Sequence, residues 1–173
     1  PLRDGSDPKG VAQALHAASK GLGFIYIRGH GIPDGVIGAA REAAFRFFRA
    51  PVADKETVRV SSRHRGWIGV GGAKMDDDAV ADLKESFLWG FQDADGHTPD
   101  DHPLRGPNRW PAFDPALETH AMRYFHHAHE VAHHLMRGFA LGLDREEDFF
   151  LRTADRPLSR GSFVYYPAQP ADA

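Results

Sequence analysis

The sequence predicts an α+β fold, and three observations carry that expectation. Apolar residues recur at three- and four-residue steps in several separate stretches, the mark of amphipathic helices. Short runs of β-branched and aromatic residues bounded by glycine interrupt them, as strands do. The 173 residues are 42% hydrophobic and 26% charged, with 18 Gly and 12 Pro, a globular composition punctuated by loops that excludes disorder, a collagen-like fibre and a coiled coil.

The elements follow in order. Val11, Ala14, Leu15 and Ala18 share one face of a helix that Gly21 and Gly23 stop. Phe24–Ile27 is then a run of four β-formers ended by Arg28-Gly29 and is expected as a short buried strand. His30-Gly31-Ile32-Pro33-Asp34 reads as a turn into a second helix with Val36, Ile37, Ala40, Ala44, Phe47 and Phe48 on its apolar side, closed by Pro51. Trp67, Ile68 and Val70 form a strand between glycine turns, and Leu83–Gly90 forms another. The acidic run Asp76–Asp78 is expected to face solvent, because calcium would need alternating acidic ligands and a glycine turn.

Residues 92–115 make an irregular connection. A long amphipathic helix runs from about Pro115 to Leu143, its apolar face expected around Ala128, Ala132 and Phe139. Asp144 is then expected to cap a short helix through Phe149-Phe150-Leu151, and Gly161–Pro167 forms the last strand. Trp89, Trp110, Phe45, Phe47 and Phe48 are expected in the core.

Composition narrows the chemistry. With 21 Lys+Arg against 24 Asp+Glu the net charge is −3, so no electrostatic footprint for nucleic acid exists. No apolar run approaches the roughly 18 residues that span a bilayer, and without cysteine neither disulfides nor thiolate metal sites can form. A cytoplasmic location is the expectation.

Histidine is in excess, at 11 residues, and several sit on the long helix. His129-Glu130-Val131-Ala132-His133 satisfies H-E-x-x-H, in which two histidines one turn apart ligate zinc and the glutamate activates water. Projection of the helix sets His129 and His133 at the edge of the apolar face and points Glu130 away, so a zinc metallopeptidase is the alternative reading rather than the first. A non-catalytic helical interaction domain, with the long helix as a dimer seam, is the other.

Motif order favours a different class. Gly23-Phe24-Ile25-Tyr26-Ile27-Arg28-Gly29-His30-Gly31-Ile32-Pro33, then Phe45-Arg46-Phe47-Phe48 with Pro51 and Lys55, then Arg65-Gly66-Trp67, Lys84-Glu85-Ser86-Phe87 with Gly90, Asn108-Arg109-Trp110-Pro111, Ala140-Leu141-Gly142-Leu143 and Tyr165-Tyr166-Pro167 occur in sequence. Together they resemble the iron(II)- and 2-oxoglutarate-dependent dioxygenases of the isopenicillin N synthase-like family. The resemblance implies a helical N-terminal region over 1–113, then over 114–173 a long support helix and the first strand of an incomplete double-stranded β-helix, or jelly roll.

It also implies a parent enzyme that uses Fe(II) and 2-oxoglutarate to hydroxylate, desaturate or cyclise a small organic substrate, with neither nucleic acid nor membrane as partner. In that family the iron is held by an H-x-D pair and a distal histidine. None of the 11 histidines is followed by Asp or Glu two positions on. The chain is therefore expected to be an N-terminal fragment lacking both the first strand and the metal triad, inactive alone and without iron at the triad.

The same resemblance implies that Tyr166 hydrogen-bonds a carboxylate of co-substrate or substrate, that Arg63 or Arg65 holds substrate, and that His30 is structural.

Overall fold

The fold begins with a capped helix. Asp7 accepts a hydrogen bond from the Gly10 amide at 2.9 Å and Pro8 opens the first turn of α1 (Pro8–Lys20), so the helix starts three residues before its apolar repeat does. The computed structural model describes residues 4–72, 82–91, 102–155 and 157–168. The acidic run Asp76–Asp78 and residues 92–101 of the irregular connection lie outside these.

After α1 come α2 (Asp34–Arg49), α3 (Val52–Glu56), β1 (Gly66–Ile68), β2 (Glu85–Gly90), α4 (Ala116–Gly142), a 3-10 turn (Leu151–Thr153) and β3 (Arg160–Tyr165). The architecture is α+β, as the sequence predicts. Contacts divide the chain into two compact units, Pro1–Ile37 with Met122–Pro157 and Gly38–Ala121 with Leu158–Ala173; α2 and α4 each contribute to both.

The second unit is built on an antiparallel sheet in the order β1-β2-β3. Trp67 pairs with Phe87, Phe87 with Phe163 and Trp89 with Gly161, so these residues share one face. That face is the core. Phe47 meets Phe87 at 4.7 Å between ring centroids, Phe48 stacks on Tyr165 at 5.2 Å, and Trp89 lies 4.5 Å from Phe163. Phe47, Phe87, Trp89 and Leu117 are almost fully buried, each contributing roughly 1.5–3 kcal/mol of burial. Trp89 fits only because Gly161 faces it: a Cβ there would stand 2.3 Å from the indole.

One buried charge cluster ties the sequence motifs together. Lys55 Nζ donates to Glu85 Oε2 at 2.6 Å and to the Phe48 carbonyl at 2.9 Å, while Trp67 Nε1 donates to the same Glu85 oxygen at 2.7 Å. Lys55 and Glu85 are 3% and 7% exposed, so each charge persists in the interior because the other is there.

In the first unit, α4 approaches α1 at a glycine: a Cβ on Gly142 would meet the Ala12 carbonyl oxygen at 2.8 Å. Among the described residues no helix is long and apolar enough to cross a membrane.

Three expectations need correction. Phe24–Ile27 is not a strand, and Phe24 and Tyr26 stand exposed; β-formers become a strand only against a partner, and among the described residues β1, β2 and β3 pair with one another and not with this run. Asp144 does not open a helix. It lies at φ 53°, where it closes α4: its amide donates to the Leu141 carbonyl at 3.2 Å and the Arg145 amide to the Ala140 carbonyl at 2.9 Å, a Schellman ending. On α4 the buried stripe runs through Leu117, Ala121, Phe125 and Ala140 and carries half-buried His129 and His133 along it, whereas Ala132 is exposed. The bulk of Phe125 and the tight seat of Ala140 set that stripe.

Replacing Lys55 by Met leaves the Glu85 carboxylate buried beside Trp67 alone. Urea unfolding is expected to show a loss of about 3–5 kcal/mol for Lys55→Met, and a smaller loss for the double variant Lys55→Met/Glu85→Gln, which removes both charges.

Candidate functional site

The sheet has a second face, exposed along β3 and buried at Ser86 and Gly90 of β2. Along β3 the exposed positions alternate, with Arg160, Ser162 and Val164 exposed between half-buried Gly161, Phe163 and Tyr165. Their register partners on β2 are Gly90, Leu88 and Ser86, and Ile68 on β1 continues the row beside Ser86. Tyr166, one residue beyond β3, is 70% exposed.

Tyr166 has an electrostatic neighbour that sequence reasoning did not single out. Lys84 Nζ pairs with Asp82 Oδ2 at 2.7 Å; the hydrogen bond to Asp82 raises the Lys84 ammonium above its ordinary value, as do the charges of Asp82 and Tyr166. A phenol and an ammonium therefore lie at one end of the open face, a combination suited to a carboxylate. The missed signal is positional, since Lys84 directly precedes Glu85, the first residue of β2.

Arg63 and Arg65 do something other than present forks to a ligand. Arg63 Nη1 donates to the carbonyls of His102 at 3.0 Å and Arg105 at 2.7 Å. Arg65 Nη1 donates to the Arg63 and His64 carbonyls, and Nη2 to the Leu104 carbonyl at 2.9 Å. Both side chains clamp the 102–106 segment, and Arg65, at 2% exposure, is buried in doing so. The fork geometry that suits carboxylates serves backbone oxygens equally well, and sequence alone does not distinguish the two uses.

Gly90 is where these parts meet. The Asn108 side-chain amide accepts from the Gly90 amide at 2.8 Å and donates to the Gly90 carbonyl at 3.0 Å, which accounts for the asparagine of the Asn108–Pro111 motif. The Arg65 guanidinium occupies the space of the missing side chain: a Cβ on Gly90 would stand 2.1 Å from Arg65 Nη2. Trp110, from the same motif, packs on Phe87 and Trp89 at 5.6 and 6.3 Å. His30 is structural in geometry, its Nδ1 accepting from the Ile32 amide at 3.1 Å between Gly29 and Gly31, which both have positive φ.

In the first unit, the H-E-x-x-H residues do not assemble a zinc site. The rings of His129 and His133 lie 4.5 Å apart, and His129 stacks on Phe125 at 6.0 Å. Glu130 faces solvent, 3.7 Å from His127. Among the described residues no group of three or more His, Cys, Asp or Glu side chains is placed to hold a metal. Burial, then the neighbouring His133 and His126, lowers the His129 pKa from its ordinary 6.5. An open cleft of about 660 Å³ between α1 and the end of α4 is lined by Lys9, His16, Asp144 and Arg145 among others; all four side chains are solvent-exposed, and none converges with another on a shared partner.

The chain is similar to known proteins along most of its length. The family described as non-haem dioxygenase in morphine synthesis N-terminal matches residues 1–113. The chain is 29% identical to the 2-oxoglutarate-Fe(II) type oxidoreductase hxnY of Emericella nidulans over 181 residues, 98% of this chain and 50% of that protein. It is 27% identical to a homoarginine-6-hydroxylase of Oryza sativa subsp. japonica, over 91% of this chain and 48% of that protein. Among solved structures, a 2OG-Fe(II) oxygenase family protein from Caulobacter crescentus superposes with a TM-score of 0.85 at 29% identity, covering 98% of this chain and 55% of that one. The chain thus spans about half the length of the curated relatives it matches.

Two outcomes test this geometry. Gly90→Ala must displace the Arg65 guanidinium, and chemical denaturation is expected to show a loss of about 1–3 kcal/mol. The depressed His129 pKa means the unfolded chain binds the extra proton first, so His129 contributes stability above pH 6.5 that is lost as pH falls through its folded value. The unfolding midpoint of His129→Phe is therefore expected to fall less than that of the parent chain between pH 7 and pH 5.

Proposed function

The chain belongs to the non-haem dioxygenase N-terminal family, and from that membership we propose that it forms the N-terminal part of an iron(II)- and 2-oxoglutarate-dependent oxygenase acting on a small organic substrate. The observation that carries the reading is the match along 98% of this chain to half of a 2-oxoglutarate-Fe(II) type oxidoreductase. The substrate would be hydroxylated, desaturated or cyclised.

In this reading the three-stranded sheet begins a jelly-roll barrel. Its packed face rests on the aromatic core of Phe47, Phe87 and Trp89, and its open face becomes barrel wall. Tyr166 presents its phenol O–H to a carboxylate of 2-oxoglutarate, beside the Lys84–Asp82 ion pair. A phenol suits this task because it donates one directional hydrogen bond while its ring excludes water from the oxygen it holds.

The described residues of this chain do not offer a ligand set for iron. What the chain contributes is the wall, the placement of the co-substrate carboxylate and the exclusion of water along the strand.

The test is succinate formation from 2-oxoglutarate by the full-length protein that carries this chain, supplied with Fe(II). Succinate production coupled to oxidation of a small molecule supports the reading; no 2-oxoglutarate binding by calorimetry and no turnover across a substrate library overturns it. Tyr166→Phe removes one hydrogen bond to a charged group, about 1.5–3 kcal/mol, so the 2-oxoglutarate Kd is expected to rise by roughly ten- to hundred-fold with the unfolding midpoint unchanged.

A further inference from the structure

The open face carries a second polar feature that the co-substrate reading does not use. Arg160 opens β3 directly across from Gly90, so its side chain leaves the sheet on the side where a Gly90 Cβ would point. That space holds the Arg65 guanidinium, 2.1 Å from the absent Cβ. Two guanidinium groups thus share one corner of one face.

Among the described residues no carboxylate pairs with either, and Arg65 donates only to carbonyl oxygens. Arg65 Nε is buried without a hydrogen-bond partner. Burial, and then the charge on Arg160, pulls the Arg65 pKa down, the signature of a cation lacking an anion. A buried positive charge held by neutral dipoles is costly, and it lowers that cost when an anion settles beside it.

The two members differ in reach. Arg65 is locked by its carbonyls and by Gly90, whereas Arg160 is exposed, with its fork turned to solvent among the described residues. The fixed member supplies potential, and the mobile one supplies contact. Ser162, next along the exposed row of β3, adds a hydroxyl on the same side.

Position separates this corner from the co-substrate end. Six residues of extended chain divide Arg160 from Tyr166, roughly 20 Å, too far for one 2-oxoglutarate molecule to touch both.

We propose that Arg160, backed by the buried guanidinium of Arg65, is a specificity-determining residue that binds an oxyanion, a carboxylate or a phosphate monoester, carried by the substrate remote from its reacting carbon. The inference rests on the oxygenase reading for the word substrate; the oxyanion site itself rests on the geometry of Arg65, Gly90 and Arg160. Substrates lacking the negative group are discriminated against, because the fork on Arg160 then stays paired only to water while the Arg65 charge keeps its cost.

The experiment uses the full-length protein carrying this chain and three probes of equal length: octanoate, octyl phosphate and octanamide. Binding is read by calorimetry and thermal shift, with and without saturating 2-oxoglutarate. At least one of the two anions is expected to bind ten-fold or more tightly than the amide, and whichever does identifies the source of the oxyanion. Arg160→Gln is expected to remove that preference, Arg160→Lys to restore part of it, and both to leave the 2-oxoglutarate Kd unchanged.

Equal binding of amide and anions, or an anion preference that survives Arg160→Gln, overturns the proposal. Loss of 2-oxoglutarate binding in the parent protein, with anion preference intact, counts against the oxygenase reading and leaves the oxyanion site standing. Arg160 is exposed at a strand end, so its variants should fold; the unfolding midpoint of each checks this.

Discussion

The second unit depends on one carboxylate. Glu85 sits at the start of β2, out of water, and a single one of its oxygens accepts both from Lys55 on α3 and from the Trp67 indole on β1. Lys55 spends a further proton on the carbonyl of Phe48, near the end of α2. Four segments are therefore fixed to one atom's surroundings, and no one of them can shift without leaving a charge or a donor unsatisfied in the interior. The aromatic core around Phe47 and Phe87 supplies most of the burial, but aromatic packing alone is permissive of sliding. The Glu85 oxygen is not.

That constraint decides which face of the sheet is available for chemistry. With Trp67, Phe87, Trp89 and Phe163 committed to the core side, alternation along each strand sends Ile68, Ser86, Leu88, Ser162 and Val164 to the other side. Gly90 adds a second consequence. Its missing side chain admits Arg65 from the adjoining loop, so a residue that lies outside the strands places a buried charge behind Arg160. A one-residue slip of β3 would bury Arg160 and expose Phe163, which is why the register and the site are one problem rather than two.

Much of this was legible in the sequence, for reasons that differ from element to element. α2 and α4 announce themselves because their apolar positions repeat at helical spacing over many residues, and β2 and β3 because β-formers end at glycine or proline. Phe24–Ile27 misleads because β-propensity describes a surface ready to pair and says nothing about whether a partner exists. Asp144 misleads because the same residue type caps helix starts and tolerates the left-handed conformation at helix ends. Tyr166 could be singled out from motif order, but Lys84 and Arg160 could not: their placement follows from register and from the missing side chain of Gly90, neither of which has a sequence signal. Arg65 shows the reverse limit, since an arginine in a substrate-contacting motif proved to spend its donors on carbonyls.

The two ends of the open face differ in kind, and the difference bears on how a ligand would be oriented. At the Tyr166 end, Lys84 is already paired with Asp82, so the local charge nearly cancels and the phenol would act through a directional hydrogen bond. At the Arg160 end no carboxylate among the described residues pairs with the charge, and its attraction would extend over about a Debye length, roughly 8 Å at physiological salt. Long-range attraction at one end and short-range geometry at the other give a strand-long surface a polarity. A molecule bearing its negative group away from its reacting carbon would be drawn to the Arg160 end first and aligned along the strand toward Tyr166. A sheet face with the same side chains but a carboxylate opposite Arg160 would lose that direction while keeping every hydrogen bond at Tyr166.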